Sequence, residues 1–309
     1  MPQKYYEDLT DSEKAALLIS DDVFIFPHRD PDVAIDYCGL SGTLPLSQYL
    51  DIVNNSTFTL YFKVEATVLN GNASAWSDLS EELGSVNASG KAIKEWTPER
   101  VVPTSKVTES LRVYIRAYKQ SDYTDLYGED YVDFNYYFFD HSAGTILHLA
   151  DFETGFDGWS SSNLHRVSSN SYTGAYSVYL CDWESGHSYD NISKDSSGQY
   201  IPTKTYSISR SYSGSGYSEV FIIFHLTYTK YDSGGALKDI DPLLRVWTDS
   251  TDSIIRITQT RNTFSPRRIA VKIPAEDGTV NWATAFQSQY TSFYFYYSHI
   301  DTIIIVGFE

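Results

Sequence analysis

The stretch "STFTLYFKVEATV", residues 56–68, alternates with a period of two. Phe58, Leu60, Phe62, Val64 and Ala66 fall on one side, and Thr57, Thr59, Tyr61, Lys63, Glu65 and Thr67 on the other. Successive side chains of a strand point to opposite faces, so this pattern predicts a half-buried antiparallel strand. "ESLRVYIRAY" (109–118) repeats it with Leu111, Val113, Ile115 and Ala117, and "DYVDFNYYFF" (130–139) with Val132, Phe134, Tyr136 and Phe138. "DVFIFP" (22–27) and "YLDIV" (49–53) supply further strands. Composition points the same way: 26 Tyr, 16 Phe and 6 Trp suit a pleated, half-buried surface, and there is one Met.

Working outward, the period changes in two places. Thr10 followed by Glu13 makes a capping box, and "EKAALLI" after it puts Ala15, Leu18 and Ile19 on one side of a short helix. Residues 1–20 are therefore expected to be a helical arm, too short to stand alone and needing something to dock on. "LNGNASAWSDLSEELGSVNASGKAIKEWTPER" (69–100) reads as a long polar loop rich in Asn, Gly and Ser. "FFDHSAGT" (138–145) interrupts the alternation, after which new strands follow in "GAYSVYL", "FIIFHLTY", "LLRVWT", "SIIRITQT", "RIAVKI", "SFYFYY" and "TIIIVGF". A chain of 309 residues holds two domains of ordinary size. The expected fold is all-β: after the arm, a β-sandwich over 21–142 and a second sandwich over 146–309.

The charge balance is 23 basic to 40 acidic residues, a net −17. Such a surface repels phosphate backbones and anionic lipid, which argues against nucleic-acid or membrane partners. No apolar stretch approaches the ~20 residues of a spanning helix. The amino terminus, "MPQKYYEDLTDSEK", is polar and acidic where a secretory signal is basic and then apolar. The chain therefore stays inside the cell, leaves by another route, or is written in mature form. Cys38 and Cys181 sit in different halves without a Cys-x-x-Cys; one bridge between them is the alternative to the expected two buried free thiols.

Three segments of the second half carry a resemblance. "ADFETGFDGW" (150–159) has Phe-Glu, then Gly, then Gly-Trp; "SYTGAYSVYL" (171–180) has a Thr-Gly turn leading into a strand; "YSHIDTIIIVGFE" (297–309) has Ile-Asp before an alternating apolar finish. In this order they resemble the jelly-roll carbohydrate-binding modules and related concanavalin-like sandwiches, over about half the chain. The resemblance implies that the first and last strands lie side by side, with Glu153 and Asp301 as ligands of a structural Ca²⁺ helped by backbone carbonyls and water. Thr302 departs from the family, where Asn is frequent. The alternative is that both carboxylates only cap strand ends. For sugar binding the resemblance implies aromatic faces, with Trp183, Tyr228 and Trp247 as candidates beside Arg245 or His225. The first half resembles no family recognised here.

Reaction-bearing motifs are absent. There is no Gly-x-Ser-x-Gly, His-Glu-x-x-His, Walker loop or dinucleotide fingerprint, and no Glu-x-Asp to align glycosidase carboxylates. The seven histidines are scattered. Asn-x-Ser/Thr sequons stand at Asn54, Asn55, Asn72, Asn87 and Asn191, four of them in the first half. The expectation is a non-catalytic exterior structural or recognition protein. Its leading form is a virion surface component (capsid, turret, tail or spike), self-assembling or joined to other structural proteins, with a jelly roll that touches host glycans. A secreted carbohydrate-binding protein or accessory module is the rival, located outside the cell. A glycan-active enzyme with an unfamiliar site is the third reading.

Overall fold

In a computed structural model the described residues are 18–27, 32–159, 164–168, 174–180, 192–194, 200–202, 208–230, 242–256, 267–286 and 296–309. The chain divides into two compact units, Met1–Asp140 and His141–Glu309. Both are built from strands, as the period-two segments require.

The first unit contains β1 (Leu18–Ser20), β2 (Val23–Pro27), β3 (Asp32–Asp36), β4 (Thr43–Pro45), β5 (Gln48–Asn54) and β6 (Leu60–Asn70), then β7 (Trp76–Ser77), β8 (Ser80–Val86), β9 (Gly90–Trp96), β10 (Glu99–Val101), β11 (Val107–Tyr118) and β12 (Leu126–Phe139). One sheet runs β3–β12–β11–β6–β8, with β3 parallel to β12 and the other pairs antiparallel. A second runs β1–β2–β5–β9, and a short third runs β4–β10–β7. Leu111, Val113 and Ile115 of β11, Phe134, Tyr136 and Phe138 of β12, and Leu60, Phe62 and Val64 of β6 share one core with Val23, Ile25, Leu50 and Ile52. The long polar segment is largely not a loop. Residues 69–100 carry the end of β6, then β7 to β10 and a 3₁₀ turn at Ala73–Ala75, and send Trp76, Leu83, Val86 and Trp96 into that core. Its strands are polar on their outer side, which hid the alternation.

Three further expectations change. Leu18 and Ile19 belong to a strand and not to a helix, and the remainder of the expected arm, residues 1–17, lies outside the described residues. Phe58 precedes β6 and is exposed, packing edge-on to Tyr127 with the Lys119 ammonium 5.2 Å from its ring centre. Asn54, though it heads a sequon, is fully buried: its amide donates to the carbonyls of Phe58, Val86 and Asn87 and its oxygen accepts from Ser56. A modifying enzyme cannot reach it in the folded chain. Cys38 is only half-buried, and Cys181 lies outside the described residues.

The second unit contains β13 (Thr145–Ala150), β14 (Leu164–Val167), β15 (Ser177–Leu180), β16 (Ile192–Lys194), β17 (Tyr200–Pro202) and β18 (Ile208–Tyr212), then β19 (Glu219–Lys230), β20 (Pro242–Trp247), β21 (Asp252–Arg256), β22 (Arg267–Ile273), β23 (Gly278–Phe286) and β24 (Tyr296–Phe308). Two antiparallel four-stranded layers, β15–β24–β19–β22 and β18–β23–β20–β21, exchange the chain at almost every step. That is the double Greek key of a jelly roll. β14 extends the first layer beyond β15, β13 pairs with the later part of β24, and β16 with β17 forms a separate ribbon. Val220, Ile222 and Phe224 of β19, Ile300, Ile303 and Ile305 of β24, and Leu244, Val246, Val280 and Trp282 of the other layer form its core.

The first unit buries an ion pair within its core. Arg100 meets Glu109 through two hydrogen bonds of 2.8 Å, with side chains 6% and 3% exposed. Trp76 Nε1 and Asn72 N also donate to the Glu109 carboxylate, at 2.7 and 3.2 Å. Burial works to raise the pKa of Glu109, and the bonds from Arg100, Asn72 and Trp76 outweigh it, holding the carboxyl below its ordinary range. Glu109→Leu should destabilise the first unit by about 3–5 kcal/mol, because Arg100 is left as an uncompensated buried charge. Adding Arg100→Met should recover most of that loss, as read from urea unfolding of the full chain.

Candidate functional site

The three segments behind the resemblance meet around β24. β13 and β15 lie end to end along one edge of it: Ala150 pairs Ile303 at the end of β13, and Val178 pairs Ile300 where β15 takes over. On the other edge His225 pairs Thr302 and Leu226 pairs Ile300, so Asp301 is the extra residue of a β-bulge. Asp301 is fully buried and accepts from Thr302 Oγ1 at 3.2 Å. The first and last strands thus run side by side, as the resemblance implies.

Glu153 stands in the turn that leaves β13. Its Oε1 accepts from Ala175 N at 2.9 Å and Tyr176 N at 3.0 Å, which pins the approach to β15. Gly174, at φ 70°, makes this contact: a Cβ there would fall 2.3 Å from that oxygen. The same turn holds Phe152 in a left-handed conformation, φ 58°, with its ring fully buried. Such a conformation costs on the order of 1–2 kcal/mol in a non-glycine residue. It is offset locally, since Phe152 N donates to Asp157 Oδ2 at 2.8 Å and the Arg166 guanidinium donates to the carbonyls of Phe152 and Glu153. Arg166 also lies 3.4 Å from the ring centre of Tyr176. Sequence reading did not single out Arg166, because an isolated Arg in a strand carries no motif.

The oxygens here are of the kind a hard cation takes: Asp301 is a carboxylate, and Glu153 Oε2 is a second donor beside the bonded Oε1. Among the described residues no group of three or more His, Cys, Asp or Glu gathers as a metal cluster, so further ligands would be carbonyls and water. Glu153 shows the capping role, holding two backbone N–H groups with one oxygen.

The sugar-site candidates are scattered. Trp183 lies outside the described residues, as does the side chain of Tyr228, whose backbone pairs Ser298 of β24. Trp247 ends β20 and is 7% exposed, so its ring offers little open face. Beside it Arg245 grips Asp252 with two bonds of 2.8 and 2.7 Å, its guanidinium carbon 5.8 Å from the Trp247 ring centre. His225 sits opposite the Asp301 bulge, paired with Thr302.

No known family matches the chain, and no curated protein does. Among solved structures it is similar to an exo-β-1,3-galactanase of Phanerochaete chrysosporium solved with galactose, at 10% identity over 90% of this chain and 57% of that one, TM-score 0.29. It is also similar to the secreted serine protease VesC of Vibrio cholerae, at 11% identity over 96% and 52%, TM-score 0.26. A Paenibacillus xanthan lyase gives 11% identity over 94% and 23%, TM-score 0.27. The chain spans about half the length of the first two. At these identities and scores none of the three bears on what this chain does. Among the described residues no helix is long and apolar enough to cross a membrane.

His299 lies two residues before the bulge, 4% exposed, with Nδ1 3.0 Å from Ser177 Oγ across the β15–β24 pairing. Burial pushes its pKa down to about 4. The folded state therefore favours neutral imidazole. The resulting stabilisation is full above the unfolded value near 6.5 and is lost as pH falls through about 4, where the loss is on the order of 3 kcal/mol. Urea midpoints measured from pH 7 to pH 4 should fall, and His299→Gln should flatten that fall.

Proposed function

We propose that this protein is a non-catalytic exterior structural or recognition protein, and most specifically a virion surface component that assembles with copies of itself or with other structural proteins. The observation that carries this reading is the architecture: two β-sandwich units in succession, the second a jelly roll, a plan suited to building shells and presenting surfaces. The net charge of −17 supports an exposed, soluble exterior and disfavours nucleic-acid contact. Native mass spectrometry and electron microscopy of the purified chain test the proposal. Ordered oligomers or particles are expected, and a strict monomer across the concentration range, with no recruitment by co-expressed structural proteins, overturns it.

A second reading, a secreted carbohydrate-binding protein or accessory module, is favoured by the jelly-roll order of β15 and β18–β24. A glycan array run with and without Ca²⁺ separates it from the first: selective binding favours it, and silence across broad glycan classes removes it.

On either reading we place a structural Ca²⁺ between Glu153 and Asp301. A bound ion stabilises only the folded state, so the melting temperature should rise with added Ca²⁺ and fall with chelator. Asp301→Asn should abolish that response, and identical melting in Ca²⁺ and chelator for the natural chain rules the ion out.

A further inference from the structure

Six buried side-chain polar atoms among the described residues form no hydrogen bond, and four of the six belong to neighbouring side chains of the second unit: His148 Nε2, Trp159 Nε1, Arg210 Nε and Trp282 Nε1. Buried polar groups are almost always paired, so four such atoms on neighbouring side chains need a cause. The rings of His148 and Trp159 meet edge-on at 5.8 Å, and those of Trp159 and Trp282 at 6.4 Å. Trp159 and Trp282 are 3% and 0% exposed. Arg210 joins them from β18, donating through Nη1 to the Asp157 carbonyl at 2.9 Å, two residues before Trp159. Its guanidinium lies against the turn so closely that a Cβ on Gly158 would fall 1.7 Å from Nη1, and Gly158 also has φ 78°.

The chemistry of the four atoms is one-sided. An indole N–H and a guanidinium N–H only donate, so Trp159, Trp282 and Arg210 present three donors and no acceptor. His148 Nε2 becomes a fourth donor in the tautomer that protonates it. Arg210 makes no ion pair among the described residues, and the nearby Asp157 carboxylate already accepts from Phe152 N through Oδ2. A buried donor without an acceptor carries the full cost of its lost hydration. A water molecule would bring two hydrogens of its own and no charge. An acceptor-only ligand with a negative charge answers all three donors and the guanidinium together.

We propose that this group is a binding site for a small monovalent inorganic anion of the halide class, held by Arg210 and the indole N–H groups of Trp159 and Trp282. The site does not rest on the functional reading given above. Consistent with a positive surround, burial first and Arg210 second push His148 down to about 4, against an upward pull from Asp157. The occupant would tie the turn after β13 to β18, and so brace the opening of the jelly roll against its other layer.

The test uses the full chain with bromide as probe. Sodium bromide is titrated against sodium gluconate at constant ionic strength while melting is followed, and crystals grown in bromide are measured at its absorption edge. The expected result is a saturable upward shift in melting temperature, with an anomalous peak within hydrogen-bonding distance of Arg210 and both indole nitrogens. Arg210→Gln should weaken the bromide response at least about tenfold, since it removes the charge-assisted bond. If that variant does not fold, the anomalous map of the natural chain decides alone. A water molecule at this place, or melting that does not distinguish bromide from gluconate, overturns the proposal.

Discussion

The second unit depends on the pairing of one strand. β24 lies between β19 on one edge and the pair β13 and β15 on the other, so it holds the first, last and central strands of the jelly roll together. All residues from His299 to Phe308 are buried, and the inward set Ile300, Ile303 and Ile305 changes parity at the Asp301 bulge. Without the extra residue, strict alternation would send either the earlier or the later half of the strand to the wrong face. The bulge therefore lets one strand serve two edge partners in succession, and it leaves an acid buried at the changeover.

Arginine is partnered differently in the two units. In the first, Glu109 and Arg100 satisfy each other, and Trp76 and Asn72 complete the carboxylate's shell. The pair closes on itself and has no need of a ligand. In the second, Arg210 reaches a carbonyl but no carboxylate among the described residues, with two indole donors beside it left unpaired. The first arrangement is complete and structural, whereas the second leaves Arg210 Nε and two buried indole N–H groups without an acceptor, and so open to a guest.

Strands whose outer face is polar and whose inner face is apolar were legible from alternation, as β6, β11 and β12 show. Strands that hide their inward residues were not. β8 and β9 carry Leu83, Val86 and Trp96 inward within an Asn-, Ser- and Glu-rich segment, and composition outweighed pattern there. β23, "GTVNWATAF", has Gly, Asn and small residues at most positions, yet it is central in its layer and places Trp282 in the core. Phe58 shows the converse error: an apolar residue at the right parity, but before the strand starts, is free to face water. The opening turn was legible as a landmark through Phe-Glu and Gly-Trp. The geometry of its parts, with Glu153 on the 175–176 backbone and Arg166 on the Phe152 carbonyl, was not, because those partners come from separate parts of the chain.

The sequence by itself determined the all-β class and the order of the second unit's signature segments, because side-chain alternation and turn residues are local properties of a chain. Only the tertiary structure decided which residues meet: that Trp247 is enclosed, that Asn54 is sealed in a hydrogen-bond network, that Asp301 is a bulge, and that Arg210 stands among unpaired indoles. Those outcomes depend on register and on the packing of layers, which join separate parts of the chain: Asn54 with Asn87, Arg210 with Asp157, Trp159 with Trp282. No local pattern encodes them.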